Sequence, residues 1–164
     1  MAEQLFRPGM ARLGAAVSIV TTDGPAGRHG MVASAVSSVT DSPPTLLVCV
    51  NRNTRSNAII AANGVFCVNV LADEQSDHAD RFCAPLTADE KFSDIDTRWE
   101  RLSTAAPALL DALACFDCRV DQVLEVGTHS IFIGAVDAIH LGENRSPLLY
   151  FERRYHTAQL RSQG

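Results

Sequence analysis

From Asn51 to Asn57 the chain reads Asn-Arg-Asn-Thr-Arg-Ser-Asn, directly after an apolar run ending at Val50 and directly before helix-forming residues. A strand that feeds a helix leaves free N–H groups and the positive end of the helix dipole at the junction, which favours an anion. Thr54, Ser56 and Asn57 add neutral donors there, and Arg52 and Arg55 add positive charge. The same spacing also describes an ordinary N-cap flanked by two solvated arginines. A second candidate is Ala33-Ser34-Ala35-Val36-Ser37-Ser38. Small side chains on an extended segment let a flat ligand approach the backbone, while hydroxyls and amides bond its polar rim. A strand with a polar outer face has the same pattern. His129, in Gly127-Thr128-His129, is either a hydrogen-bonded surface histidine or a group at a reacting centre. Tyr155-His156 reads as the cover of a pocket mouth or as a frayed tail.

Other chemistries have no motif here. G-x-G-x-x-G, the P-loop, H-E-x-x-H and G-x-S-x-G are all missing from the sequence. Cys115 and Cys118 have C-x-x-C spacing, but on a strand residues three apart point to opposite faces, so no metal or redox pair is expected. The five cysteines, an odd number, read as small core residues rather than a disulfide framework.

The elements that must carry these residues are mostly strands. Gly14–Thr22 is β-rich and ends in the turn signal Asp23-Gly24-Pro25-Ala26-Gly27. An extended segment, Arg28–Ser38, is broken by Asp41-Ser42-Pro43-Pro44, because two prolines interrupt a ladder. Thr45–Val50 is apolar throughout, the mark of a strand covered on both faces. A helix capped at Asn53 or Thr54 ends at Asn63-Gly64, and Val65–Leu71 is the next strand. A polar helix follows from Asp73 to about Cys83. Residues 84–106 form a polar excursion, or lid, anchored by Trp99. Ala112–Glu125, Ser130–His140 and Pro147–Phe151 complete about six substantial strands, with two or three short helices and no βαβα alternation. The expectation is a mainly β fold, a mostly antiparallel sheet closed as a barrel, since closure removes exposed edges.

At 164 residues the chain suits one domain, 1–164. With 46% hydrophobic and 20% charged residues it is too apolar for disorder. A net charge of −5 without a basic run argues against phosphate-backbone binding, and 6% aromatic content leaves few platforms for stacking bases, so no nucleic-acid partner is expected. The N-terminus has no signal-peptide pattern and no apolar run approaches the roughly 18 residues of a membrane span. A cytoplasmic protein without a membrane partner is the expectation.

Taken in order, the segments are more specific than any one alone. Gly30-Met-Val-Ala-Ser-Ala-Val-Ser-Ser-Val39, Ser42-Pro43-Pro44, Leu47-Val-Cys-Val-Asn51, Ser56, Phe66–Leu71, Gly127–Gly134 and Pro147–Phe151 together resemble the flavin reductase-like family, from about Phe6-Arg7 to about His156. Members of that family supply reduced flavin to two-component monooxygenases. The resemblance implies an FMN-binding split β-barrel with Greek-key connections, and a homodimer with flavin near the subunit interface. It implies FMN or FAD as the flavin, NADH or NADPH as hydride donor, and a flavin-dependent monooxygenase as partner. Carried over by position, Ala33, Ser34, Ser37 and Ser38 would line the flavin ring and phosphate side. Asn51, Arg52, Ser56 and Asn57 would hold the ribityl chain and phosphate, while His129 and Tyr155 would stand near the nicotinamide. The family often has Gly-Asp-His where this chain has Gly127-Thr128-His129, so His129 lacks that carboxylate neighbour. Arg28, Arg153 and Arg154 are candidates for a 2′-phosphate. Two other readings remain at this level: a non-catalytic flavin-binding module, and a relative of the pyridoxamine phosphate oxidases using Arg52 and Arg55 for substrate phosphate.

Overall fold

The computed structural model describes residues 1–93 and 97–159. Helix α1 (Ala2–Ala11) is followed by β1 (Ala15–Ala16), β2 (Ser18–Thr22), β3 (His29–Ala33), β4 (Val36–Asp41) and β5 (Pro44–Asn51). Helix α2 (Arg55–Asn63), β6 (Val65–Val70), a 3-10 turn (Asp73–Gln75), α3 (Ser76–Cys83) and α4 (Ala88–Phe92) come next. The chain continues through β7 (Trp99–Arg101), β8 (Pro107–Leu109), β9 (Ala114–Val126), β10 (His129–Leu141), β11 (Leu148–Phe151) and β12 (Arg154–Thr157).

Seven strands form one antiparallel sheet in the order β3-β2-β6-β9-β10-β5-β4. Its two edge strands, β3 and β4, are consecutive in the chain, with only Ser34-Ala35 between them. Residues that close span at most about 10 Å, so the sheet must curl until its edges nearly meet. No ladder joins β3 to β4 among the described residues. The barrel expected from the sequence is therefore a curled sheet whose edges are linked through the chain, a split rather than a hydrogen-bonded closure.

The strand count also departs from the expected six. Arg28–Ser38 is not one strand, because its halves serve opposite edges of the sheet. The expected break at Asp41-Ser42-Pro43-Pro44 is found: β4 ends at Asp41, Ser42-Pro43 make the turn, and Pro44, paired with Asp41, opens β5 as its first residue, where a strand tolerates proline. Helix α1 has no counterpart in the pattern, since Pro8-Gly9 reads as a breaker. The C-terminal segment is a hairpin, β11–β12, with β1 on the other side of β11.

Alternation along the central strands feeds two cores. Ile19, Cys67, Leu71 and Cys115 face one cluster, which Phe82 of α3, Phe92 of α4 and Leu109 of β8 cover from outside. Val20, Phe66, Val68, Cys118 and Phe132 face the other, inside the curl, with Ile60 of α2. Both faces of β6 are thus buried, which explains its largely apolar run; its one polar residue, Asn69, is buried and hydrogen-bonded to Ile19 O and the Leu109 amide. Cys115 and Cys118 fall in different clusters, as strand periodicity requires. Burial pushes the Cys118 thiol up to about 12. The expectation of five core cysteines is corrected at two positions: Cys49 is half-buried and Cys83 is exposed.

The excursion expected over 84–106, of which 94–96 lie outside the described residues, lines neither cleft described below and is fastened to the outer core, partly by polar groups. Asp117, fully buried on β9, accepts from the Ser103 amide at 2.8 Å, the Thr104 amide at 2.6 Å and the Thr104 hydroxyl at 2.5 Å. Trp99 packs with Phe82 and Phe92, ring centroids 5.7 and 4.9 Å away. Gly134 allows the curl to pack, because a Cβ there would stand 2.5 Å from Phe66 Cζ and 2.9 Å from Cys118 Cβ. Gly134→Ala is expected to lower unfolding free energy by about 1–3 kcal/mol, read as a reduced denaturation midpoint at unchanged slope. Among the described residues no helix is long and apolar enough to cross a membrane.

Candidate functional site

The β3–β4 junction lies exposed at the rim of a large cleft, about 1010 Å³. Ser34, Ala35 and Ser37 line it beside Cys49 of β5, and the amide of Cys49 donates to Ala35 O at 3.0 Å. The junction exists because the chain leaves one sheet edge and joins the other here, so Ser34 and Ala35 are outside both ladders. Small residues keep this floor flat. Ala33 is buried with the inner core and is not among the residues that line the cleft. Ser38 faces a smaller, adjoining apolar cleft of about 270 Å³ with Val68, Phe116 and Val136, which shares Val36, Ser37 and Val70 with the large one. The large cleft therefore contains only part of the serine segment.

Asn51 lies two residues beyond Cys49 along β5, about 7 Å at strand rise, and leads into α2. Its side-chain oxygen accepts the Asn53 amide at 2.9 Å, forming the turn before the helix. Thr54 occupies the N-cap position, but its hydroxyl donates back to Asn51 O at 2.7 Å. No side chain caps the first amides of α2 among the described residues. Asn57 donates to Val50 O at 3.1 Å, tying helix to strand. Arg52 pairs with Glu125 at 3.1 Å and donates to Gly127 O at 3.4 Å, so it braces the β9–β10 turn. Arg55 is exposed and meets no carboxylate among the described residues.

Ser56 is buried and shares a 2.9 Å hydrogen bond with His29 Nε2, a neighbour that sequence spacing did not suggest. The two are 27 residues apart and meet because β3 runs beside α2. Burial, then Lys91, then Arg55 hold the His29 pKa below its ordinary 6.5. The folded protein therefore binds this proton less readily than the unfolded chain. Stability from neutral His29 is complete above about pH 6.5 and is lost as the pH falls below that value toward the lowered folded pKa. His29→Gln is expected to flatten this acid-side slope, measured as melting temperature between pH 5 and about pH 7.

His129 pairs with Asn51 across β10 and β5, and its Nδ1 lies 2.9 Å from Thr128 Oγ1. The hydroxyl of Thr128 thus takes the place of the missing carboxylate. His129 is exposed beside the Asn51–Arg52 turn and is not part of the large cleft's lining. Tyr155 donates to Asp80 Oδ1 at 3.1 Å, and burial with Asp80 pushes its hydroxyl up to about 12. Its cross-strand neighbour Tyr150, ring centroids 6.0 Å apart, is the tyrosine that lines the cleft.

The opposite wall comes from residues that sequence reading did not assign to a site. Phe6, Arg7 and Met10 of α1 line the cleft, as does Arg153 at the tip of β11–β12. Pro8-Gly9 masked the i, i+4 spacing of Phe6 and Met10, the one signal that marked this wall. Arg28, by contrast, pairs with Asp89 at 3.0 Å over the Phe92 ring.

The donor set suits a flavin. A flat, exposed floor with hydroxyls accepts a planar ring system, and an uncapped nine-residue helix with Arg55 at its start accepts a phosphate. Residues 10–159 match the family model described as a flavin reductase like domain. The chain is 51% identical over 151 residues to an FMN reductase (NADH) RutF of Variovorax paradoxus, covering 92% of this chain and 83% of that protein. Among solved structures, flavin reductase PheA2 superposes with a TM-score of 0.84 at 31% identity, covering 98% and 100% of the two chains. The styrene monooxygenase flavin reductase of Pseudomonas putida S12 gives 0.82 at 26% identity, over 96% and 99%. A curled antiparallel sheet, a flat cleft at its split and a family match over nearly its whole length agree: the chain belongs to the flavin reductase-like domain family.

Proposed function

We propose that this chain is an NADH-dependent flavin reductase that takes FMN as its flavin and delivers it, reduced, to a flavin-dependent monooxygenase. The single observation that carries the reading is the exposed Ser34–Ser37 segment lining a cleft beside Cys49 of β5, the strand that leads two residues later through Asn51 into the uncapped N-terminus of α2. FMN and NADH are preferred because they appear in the name of the Variovorax relative. The styrene monooxygenase reductase supports the delivery role.

When bound, a flavin would supply the acceptor for a hydride from a nicotinamide, so the protein's task would be to stack two rings and exclude other geometries. Backbone amides of Arg55, Ser56 and Asn57 hold the phosphate, with Arg55 adding charge. Ser34 and Ser37 bond the ring's polar rim, and Ala35 leaves its face open. Ala33 and Ser38 contribute backbone next to them. Asn51 and Arg52 set the turn that aims α2. His129, hydrogen-bonded to Thr128, orients the nicotinamide side rather than delivering a proton, and Tyr155 supports Tyr150 at the mouth. Arg52 is engaged by Glu125, which disfavours the oxidase reading that needs it for a substrate phosphate.

The working unit is a homodimer of single-domain subunits in the cytoplasm. Leu5, Phe6, Met10 and Leu13 are 48–66% exposed along α1 and the residues just after it, an apolar stripe that a second copy would cover. The test is steady-state oxidation of NADH and NADPH with FMN and FAD in all four combinations. Saturable FMN-dependent NADH oxidation is expected; stoichiometric flavin retention without turnover would leave only the binding module.

A further inference from the structure

We infer that Arg153 and Arg7, side by side on one wall of the cleft, form a paired clasp for the pyrophosphate of the nicotinamide dinucleotide; the inference rests on the reductase reading above. The protein carries a net charge of −5, yet the lining of this cleft holds two arginines and, among the described residues, no carboxylate. Neither guanidinium meets an acidic side chain within ion-pair distance among the described residues, unlike Arg12, Arg28 and Arg52, each of which does. Two free cations around an apolar, hydroxyl-bearing cleft suit an extended ligand with an anionic middle.

The mounting of both residues supports this. Arg153 sits in a two-residue turn, where Phe151 pairs with Arg154. Glu152 and Arg153 have φ of 46° and 62°, left-handed backbone that glycine and asparagine ordinarily supply in such turns. The Glu152 amide donates to Ala11 O at 2.6 Å, and its carboxylate lies 3.8 Å from Arg12, so the turn is fixed to the C-terminal end of α1. Arg7 is four residues before Ala11, on the same helix face, and both line the cleft. The strained turn and the helix thus hold the two arginines on one unit across from Ser34 and Cys49. A cleft of about 1010 Å³ is at the upper end of ordinary ligand sites, about 300–1,000 Å³, leaving room for a second ligand over the flavin. The flavin's own phosphate has a separate seat at α2.

The test uses full-length protein carrying Arg153→Gln, Arg153→Lys or Arg7→Gln, with circular dichroism and melting to confirm folding. Steady-state kinetics are run with NADH, NADPH and reduced nicotinamide riboside, which carries no phosphate. Equilibrium titrations of NADH and of FMN accompany them. For Arg153→Gln the expected result is about a 10-fold rise in KM and Kd for NADH, equivalent to about 1.4 kcal/mol, and the same factor for NADPH. Arg7→Gln is expected to move in the same direction, Arg153→Lys to recover part of the loss, and the riboside's KM to change less than twofold. An NADH affinity that holds within twofold in both glutamine variants would overturn the clasp. So would a loss confined to NADPH, which means a 2′-phosphate site, or a loss in FMN affinity alone, which assigns the arginines to the flavin. Because the NADH titration needs no turnover, it tests the clasp even if wild-type protein fails to oxidise NADH, the outcome that would sink the reductase reading instead.

Discussion

Ser34→Phe is expected to weaken flavin binding at least 100-fold, about 2.7 kcal/mol or more, while leaving the melting temperature within a few degrees of wild type. Ser34 is exposed at the β3–β4 junction, outside both ladders, so a larger side chain meets no packed neighbour in the free protein. Once there, a phenyl ring occupies the floor on which a planar ligand must lie. The result is read by titrating FMN fluorescence against the protein and by FMN-dependent NADH oxidation. Full-strength flavin binding in a folded Ser34→Phe variant would mean that the flavin lies elsewhere, and the cleft would lose its assignment. Ser34→Ala separates the two contributions of the residue: loss of one hydroxyl costs about 0.5–1.5 kcal/mol, far less than filling the space.

The largest effect on stability is expected at Asp117. Asp117→Ala should lower the unfolding free energy by about 3–5 kcal/mol, because the buried amide and hydroxyl of Thr104 then lose their acceptor, as does the part-buried Ser103 amide. Urea denaturation gives the number directly. A loss under about 1 kcal/mol would mean that the Ser103–Thr104 turn finds other acceptors, and that the excursion is held by Phe82, Phe92 and Trp99 packing alone. Asp117→Asn keeps the acceptor oxygen and the volume, so it should recover a substantial part of the loss.

Much of the architecture was legible along the chain because burial on two faces leaves a local signature. β5 and β6 are largely apolar runs of strand length, so composition marks both. β6 has both faces in the cores, whereas β5 buries Leu46, Val48 and Val50 but turns Leu47 and Cys49 to the cleft, so the expected cover on both its faces is not found. The α2 entrance was equally legible: a strand, an Asx turn and a helix follow one another within a few residues, and the anion-seat argument needs nothing distant. Three features were not. The split of Arg28–Ser38 depends on which sheet edge each half joins, a long-range fact that no local pattern carries. Helix α1 was concealed by Pro8-Gly9, whose breaking tendency is overcome in the folded chain, where the Glu152 amide also bonds to Ala11 at its end. The His29–Ser56 contact joins residues on different elements, so neither residue type nor spacing announced it.

By itself, then, the sequence determined the chemistry available: a cationic helix entrance in an acidic chain, a small-residue strip, and strands enough for a curled antiparallel sheet. Those properties are set by residue type and by periods of two or a few residues. Only the tertiary structure decided which of the candidates face one cleft. It placed Ser34 and Ser37 together with Cys49, turned Ser38 to another cavity, left His129 beside the Asn51–Arg52 turn, and brought Arg7 and Arg153 from opposite ends of the chain to one wall. The physical reason is that a cleft is made where elements distant in sequence approach, and that approach is governed by long-range pairing and packing rather than by local propensity.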